Sequence, residues 1–216
     1  MMEIPDSFNF NESVSNNFDD HVREQLPWYD LATSFVCHLS LGFLNTGGTL
    51  LDVGCSTGNI TKKLKKEIYD RDLKTESVDS SEHMRAMYRG DGDIIIADIC
   101  DYKLEKYDVI VSMLSLMFIP ISKRNETIER LKKSLNVGGI LIIVDKVMPG
   151  STYGGMVSSK MTILSKMNNG VKADDILKKE ISLIGVQRPF SYNFFSENDF
   201  IEFFRFGDFV GAYYEA

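Results

Sequence analysis

Residues 49–58 read Thr-Leu-Leu-Asp-Val-Gly-Cys-Ser-Thr-Gly, and Asn59, Ile60 and Thr61 follow. The apolar run Leu50, Leu51, Val53 carries one acidic residue, Asp52, and ends at Gly54. A polar turn then leads to Gly58 and a helical run to Ile68. That is the pattern of a buried parallel strand breaking into a glycine loop that opens a helix. Without a Cβ at the glycines, backbone N–H groups can approach a ligand closely. The helix start adds unpaired donors and a partial positive charge. A tight turn without a ligand is the plainer alternative, and the dinucleotide spacing G-x-G-x-x-G is absent.

Outward from this loop the chain alternates strand and helix. After 49–53 and a helix over about 58–69, strands are expected at Thr75–Asp79, Asp93–Asp98, Asp108–Met113 and Ile140–Val144. Helices are expected from Ser81 to about Tyr88 and from Ser122 or Asn125, the latter with an apolar stripe of Ile128, Leu131 and Leu135 and an end at Asn136-Val137-Gly138-Gly139. Such βα units predict a doubly wound parallel sheet with helices on both faces. Its ligand lies beyond the carboxyl ends of the strands, where Gly54, Asp79, Asp98 and Met113 fall.

Before the loop, residues 1–17 are polar and Asn/Ser-rich. Phe18, Val22 and Leu26 then mark a short helix ending before Pro27, and a second helix runs from about Trp28 to Leu44. Beyond the fifth strand, 151–187 reads as a helical cap. Phe194–Phe204 reads as a further helix N-capped at Ser196, and Asp208–Tyr214 as a final strand. The expectation is one domain over 1–216: arm and lid helices at 1–45, a core at 49–146 and a cap at 151–195.

The 216 residues are 44% hydrophobic and 25% charged, as in a soluble globular protein. No apolar run reaches the length needed to span a bilayer, and the N-terminus lacks the basic and apolar regions of a signal peptide. Cys37, Cys55 and Cys100 show no ligand spacing, which points to a reducing, cytoplasmic compartment and no metal site. A net charge of −7 gives no overall footprint for nucleic acid.

Asp79 lies 25 residues after Gly54 at the end of a strand, where a carboxylate can accept both hydroxyls of a ribose. Its plainer role is to cap the helix that follows. Asp98 has the same two readings, as a ligand contact or a turn former. His21, His38 and His83 fall in no nucleophile or metal pattern, and no catalytic base stands out.

The stretch Asp52-Val53-Gly54-Cys55-Ser56-Thr57-Gly58 resembles motif I of the class I S-adenosylmethionine-dependent methyltransferases. The resemblance implies a Rossmann-like, mostly parallel α/β sheet of the seven-strand type, with S-adenosylmethionine as cofactor. Asp52, Gly54, Cys55, Ser56 and Gly58 would lie around its methionine part, Asp79 and Ser80 at the ribose, Asp98 and Ile99 at the adenine, and Met113 in the apolar wall behind. Methyltransferases of DNA-base amino groups carry Asn/Asp-Pro-Pro-aromatic after the fourth strand; Ser112-Met113-Leu114-Ser115 stands here instead.

Within that superfamily the chain is most similar to the carboxy-S-adenosylmethionine synthases. Phe8-Asn9-Phe10-Asn11-Glu12-Ser13-Val14, Phe18-Asp19 and Leu26-Pro27-Trp28-Tyr29 carry the likeness, as do Gly54-Cys55-Ser56, Asp79-Ser80, Asp98-Ile99 and Gly138-Gly139. It implies that Tyr29 contacts the cofactor. Two positions depart from the family. Its asparagine after the fourth strand falls near Met113, and its carboxylate-binding arginine falls at Glu180, beside Lys178 and Lys179. An anion there would repel a carboxylate. The expected activity is therefore methyl transfer to a small-molecule acceptor. The alternatives are carboxy-S-adenosylmethionine synthesis, with Lys178, Lys179 or Arg188 as the cation, and a non-catalytic cofactor-binding regulator.

Overall fold

The structure is a computed structural model and describes residues 18–216, with only the backbone of Phe18. The arm at 1–17 and the block Phe8–Val14 lie outside the described residues. Two helices, α1 (Phe18–Gln25) and α2 (Tyr29–Phe43), precede β1 (Thr49–Val53). Then come α3 (Asn59–Lys63), α4 (Lys65–Asp70), β2 (Lys74–Asp79), α5 (Glu82–Met87), β3 (Ile94–Ile96) and β4 (Tyr107–Met113). A 3₁₀ turn (Leu116–Phe118), α6 (Ile121–Lys133) and β5 (Leu135–Lys146) follow. The cap helices α7 (Tyr153–Asn168) and α8 (Ala173–Ser182), a short α9 (Phe194–Glu197), β6 (Ile201–Phe206) and β7 (Phe209–Glu215) complete the described order.

The strands form one seven-stranded sheet in the order β3-β2-β1-β4-β5-β7-β6. The first five are parallel, while β7 pairs antiparallel with both β5 and β6. From β1 the chain winds outward through β2 and β3, then returns to place β4 on the other side of β1. A crevice opens at that reversal of direction, beyond the ends of β1 and β4.

Side chains alternate across the sheet. Leu50, Val109, Val111, Ile140 and Ile142 pack on the face covered by α2, with Ala32 and Val36. Leu51, Val53, Ile110, Leu141 and Ile143 pack on the other face with Ile128 and Leu131 of α6 and with Phe190, Phe195 and Phe200. Burying each such side chain stabilises the fold by roughly 1.5–3 kcal/mol, so the floor of the crevice rests on a rigid two-faced core.

Three expectations from sequence are corrected. The Phe194–Phe204 helix stops at Glu197, because Asp199 takes a left-handed backbone (φ 63°) and the residues after it pair as β6. Asn136–Gly139 does not separate helix from strand. It lies inside β5, where Gly138 (φ 77°) sits near a register shift opposite Tyr107 and Val109. The single helix after motif I is two short ones, parted at Leu64.

Candidate functional site

A cavity of about 220 Å³ lies at the end of β1 and β4. Of the residues singled out from the sequence, Tyr29, Asp52, Gly54, Cys55, Ser56, Asp79, Ser80, Asp98, Ile99 and Met113 line it; Gly58 does not. The left-handed Gly58 (φ 83°) instead opens α3, and a Cβ there would meet the backbone of Gly90 at 2.5 Å. Its role is to let the 88–91 turn pack behind the loop.

Gly54 makes room for a different neighbour. It is left-handed (φ 67°), and a Cβ on it would fall 2.1 Å from Ser115 Oγ. Leu114, also left-handed at φ 57°, turns the loop after β4 so that Ser115 reaches this spot. A non-glycine residue in that region is strained, and the strain brings the β1 and β4 loops together over the crevice.

Asp79 links the loops after β1 and β2. Its Oδ2 accepts from the Ser56 N–H at 2.9 Å and its Oδ1 from the Ser81 N–H at 2.9 Å. Ser81, not Asp79, stands at the N-cap of α5, so Asp79 holds the turn before that helix and also lines the cavity. Burial raises its pKa despite these bonds. Asp98 faces the same cavity while its Oδ1 accepts from the Cys100 N–H at 2.9 Å.

Asp52 is the electrostatic oddity of the site. It is 2% exposed, its Oδ2 has no hydrogen-bond partner among the described residues, and burial followed by the nearby Asp79 pushes its pKa up to about 7. A buried carboxylate left unpaired is costly, and this one faces the cavity. The Cys55 thiol is pushed up by burial and by the same two carboxylates, so it stays protonated and is no nucleophile. Met113 receives a contact from Thr33 Oγ1 at 3.7 Å.

Side-chain hydrogen bonds fasten helix α1 to the loop after β1. Asp19 of α1 accepts through Oδ1 from Thr57 Oγ1 (2.6 Å) and from Asn59 Nδ2 (2.8 Å). Asn59 Nδ2 also lies 3.2 Å from the Tyr29 hydroxyl. Tyr29 is held protonated by burial, its pKa raised. Asp19, Thr57 and Asn59 follow no periodic pattern: Thr57 stands inside motif I and Asn59 just after it, while Asp19 carries part of the family likeness and was given no contact. Ser115, Phe118, Ile119 and Pro120 complete the wall from the loop after β4.

A second pocket of about 130 Å³ lies under the cap and shares Leu114 and Phe118 with the first. Glu180 is in its wall, where Oε1 accepts from Lys166 Nζ at 2.9 Å and Oε2 lies 3.7 Å from Lys146 Nζ. Lys179 lines the pocket too, whereas Lys178 is exposed outside it. Arg188 is in neither wall; its Nη1 donates to the carbonyls of Phe118 and Val186.

Residues 50–139 match the methyltransferase domain family. A carboxy-S-adenosyl-L-methionine synthase of Staphylococcus epidermidis is 30% identical over 183 residues, covering 82% of this chain and 80% of that protein. The chain belongs to the carboxy-S-adenosyl-L-methionine synthase family. The synthase of Wolinella succinogenes is likewise 30% identical, over 88% of this chain and 82% of its own length. In fold, the chain is similar to a methyltransferase of Methanococcus maripaludis (TM-score 0.56, 16% identity, 99% of this chain and 96% of that one). It is also similar to a plantazolicin methyltransferase crystallised with S-adenosylhomocysteine (TM-score 0.58, 19% identity, 88% and 72%). Membership in this superfamily makes S-adenosylmethionine the cofactor and the chain a methyltransferase-like enzyme.

The cavity suits that cofactor in charge. Among the described residues its walls carry Asp52, Asp79 and Asp98 and no lysine or arginine, a set that complements a sulfonium and an ammonium group. The unpaired Asp52 carboxylate is a ready partner for a cation.

Proposed function

We propose that this protein transfers the methyl group of S-adenosylmethionine to a small-molecule acceptor. One observation carries the reading: among the described residues the cofactor cavity holds three carboxylates and no cation in its wall. A carboxylated sulfonium would bring an additional negative charge into that wall, and unpaired buried charge is strongly disfavoured. Asp79 would receive the ribose, Asp52 the positive end of the methionine part, and Asp98 with Ile99 the adenine. Bound there, the cofactor supplies an activated methyl group, whose transfer leaves the bonding electron pair on sulfur. The protein's own work is then positioning: the Asp79 bridge sets two loops, Ser115 packs on Gly54, and Asp19 fastens the lid.

A second reading, carboxy-S-adenosylmethionine synthesis, is favoured by the relatives' names and by the lysines under the cap. Lys179 is the cation of the three expected from sequence that lines this pocket. One experiment separates the two. The protein is incubated with S-adenosylmethionine and prephenate, and the sulfonium products are weighed by mass spectrometry together with whatever co-purifies. The expected result is bound S-adenosylmethionine or S-adenosylhomocysteine and no added carboxylate mass. Enzymatic formation of the carboxylated sulfonium overturns methyl transfer as the activity.

A further inference from the structure

Leu114 and Phe118 stand in the walls of both pockets, so the 3₁₀ turn Leu116–Phe118 is part of the partition between them. The turn cannot run on as a helix. Pro120 pushes the residue before it to an extended backbone, and Ile119 takes φ −70° and ψ 141°. Pro120 also lacks the N–H that the Met117 carbonyl would use next. The carbonyls of residues 117–119 are therefore left without partners inside the turn. Two arginines take them. Arg188 donates its main-chain N–H to Met117 at 2.8 Å and its Nη1 to Phe118 at 2.9 Å, and Arg124 Nη2 donates to Ile119 at 3.4 Å. Near the start of the turn, the fully buried Asp145 accepts the Met117 N–H through Oδ2 at 3.0 Å. An anion at the start and cations at the end match the direction of the turn's dipole.

Arg188 is itself fixed from two sides. Two residues on, the buried Phe190 pairs with Val147 just beyond β5 and carries the Arg124 guanidinium over its ring at 4.4 Å. Arg124 Nη2 also donates to the Arg188 carbonyl. On the other side, Leu183 and Gln187 of the same segment line the pocket under the cap, and Gln187 Oε1 accepts from Lys146 Nζ at 2.9 Å. One stretch of chain thus forms the wall of one pocket through Gln187 and grips the wall of the other through Arg188. Arg188 lines neither, so its effect on a bound ligand must pass through the backbone of residues 117 and 118. Its Nη1 serves the carbonyls of Phe118 and Val186 together, which a planar guanidinium does and a single lysine ammonium does less well.

We infer that Arg188 is a positioning residue for cofactor binding: it locks the loop after β4 to the segment that follows the cap helices, so the cofactor cavity keeps its shape only while that segment is in place. Without the Arg188 side chain the Phe118 carbonyl loses its donor, and Phe118, Ile119 and Pro120 of the cavity wall move with it. The lock acts in both directions, because coupling between two sites is reciprocal. Whatever orders residues 183–190 sharpens the cavity, and bound cofactor steadies residues 183–190. This role is independent of which group the cofactor passes on.

The test uses the full chain, with S-adenosylhomocysteine binding measured by calorimetry and amide hydrogen exchange read residue by residue by NMR. In the wild type, saturation with S-adenosylhomocysteine should slow exchange of the Arg188 amide at least fivefold, although that amide lies outside the cavity. Arg188→Met should weaken S-adenosylhomocysteine at least tenfold. Without ligand it should speed exchange of the Phe118 and Ile119 amides at least tenfold, while β1 and β5 exchange as in the wild type. Arg188→Lys should bind at least threefold tighter than Arg188→Met and at least threefold weaker than the wild type. A merely structural role would instead loosen β1 and β5 in step with the turn and show no rescue by lysine. Unchanged affinity in Arg188→Met, loosening of the whole sheet, or a lysine variant no better than the methionine one each overturns the inference. If Arg188→Met does not fold, the wild-type response of the Arg188 amide decides together with the Arg188→Lys affinity, and an unresponsive amide overturns it. Failure of S-adenosylhomocysteine to bind the wild type would refute the cofactor site itself, and exchange in the ligand-free proteins still reads the lock.

Discussion

Replacing Asp52 by Asn should stabilise the ligand-free protein above neutral pH while weakening its hold on the cofactor. Burial and Asp79 move this carboxyl group from about 3.8 to about 7. A group whose pKa is raised by folding contributes stability that is fully present below its unfolded value. That stability is lost as pH rises through the folded value. Ionised at pH 8, Asp52 therefore costs the empty protein ~4 kcal/mol. An asparagine avoids that cost but brings an amide that itself lacks a partner, at ~1–3 kcal/mol. The net expectation is a gain of ~1–3 kcal/mol at pH 8 that turns into a loss of ~1–3 kcal/mol at pH 4, where only the amide's cost remains, read by urea unfolding at both pH values. Asp145, also buried and ionising near 7, tilts both proteins alike and cancels in the comparison. For binding the sign reverses: the ionised form is the one that attracts a cation. Wild-type affinity for S-adenosylmethionine should rise by about tenfold for each pH unit from 5 toward 7. Asp52→Asn should flatten that slope and cost ~1.5–3 kcal/mol at pH 7. A mutant that binds as tightly as wild type, or a wild-type affinity independent of pH below 7, refutes the assignment of Asp52.

Asp79→Ala should weaken S-adenosylmethionine binding by ~1.5–3 kcal/mol in calorimetry, the scale of charge-assisted hydrogen bonds; an unchanged affinity would leave Asp79 as a turn former alone. Gly54→Ala places a methyl group on Ser115 and should reduce binding at least tenfold, with partial recovery in the Gly54→Ala/Ser115→Gly pair, whereas no recovery would show that Ser115 is not the obstacle. Cofactor saturation should slow hydrogen exchange across residues 18–30, and Asp19→Ala should abolish that protection by removing the bonds to Thr57 and Asn59. Trp28 packs on Phe204 and Phe209 at 5.3 and 4.9 Å, so Trp28→Ala should cost ~3–5 kcal/mol of stability in thermal unfolding.

The parallel core was legible because its signals are local. Leu50–Val53 and Val109–Val111 are apolar runs ended by loop residues, and the carboxylates Asp79 and Asp98 stand at strand ends. The C-terminal edge was not. Phe194, Phe195, Ile201 and Phe204 suit a helical stripe as well as a strand, and what decides is the hairpin that Gly207 and Asp208 close between β6 and β7, a turn signal that the sequence reading did not use. The wall after β4 was hidden for another reason. Ser115 matters through the backbone turn at Leu114, and a left-handed leucine has no sequence signature. Asp19 was missed because its partners, Thr57 and Asn59, lie 38 and 40 residues away. The charge of Glu180 was weighed without Lys146 and Lys166, which only the fold brings beside it.

The seam between β1 and β4 has a kinetic consequence. Leu50 pairs with Val109 and Leu51 with Ile110, so the strands that frame the crevice meet only after a loop of nearly sixty residues closes. Closing such a loop costs entropy before its contacts repay it, and parallel pairing of this separation is slow. The cofactor site therefore does not exist in early collapsed states, and its ligand has nothing to grip until the folding barrier is largely crossed. Bound cofactor should act as a brake on unfolding and not as a template for folding. A newly made chain must reach its folded state unaided, and the cofactor then lengthens the life of what has already formed.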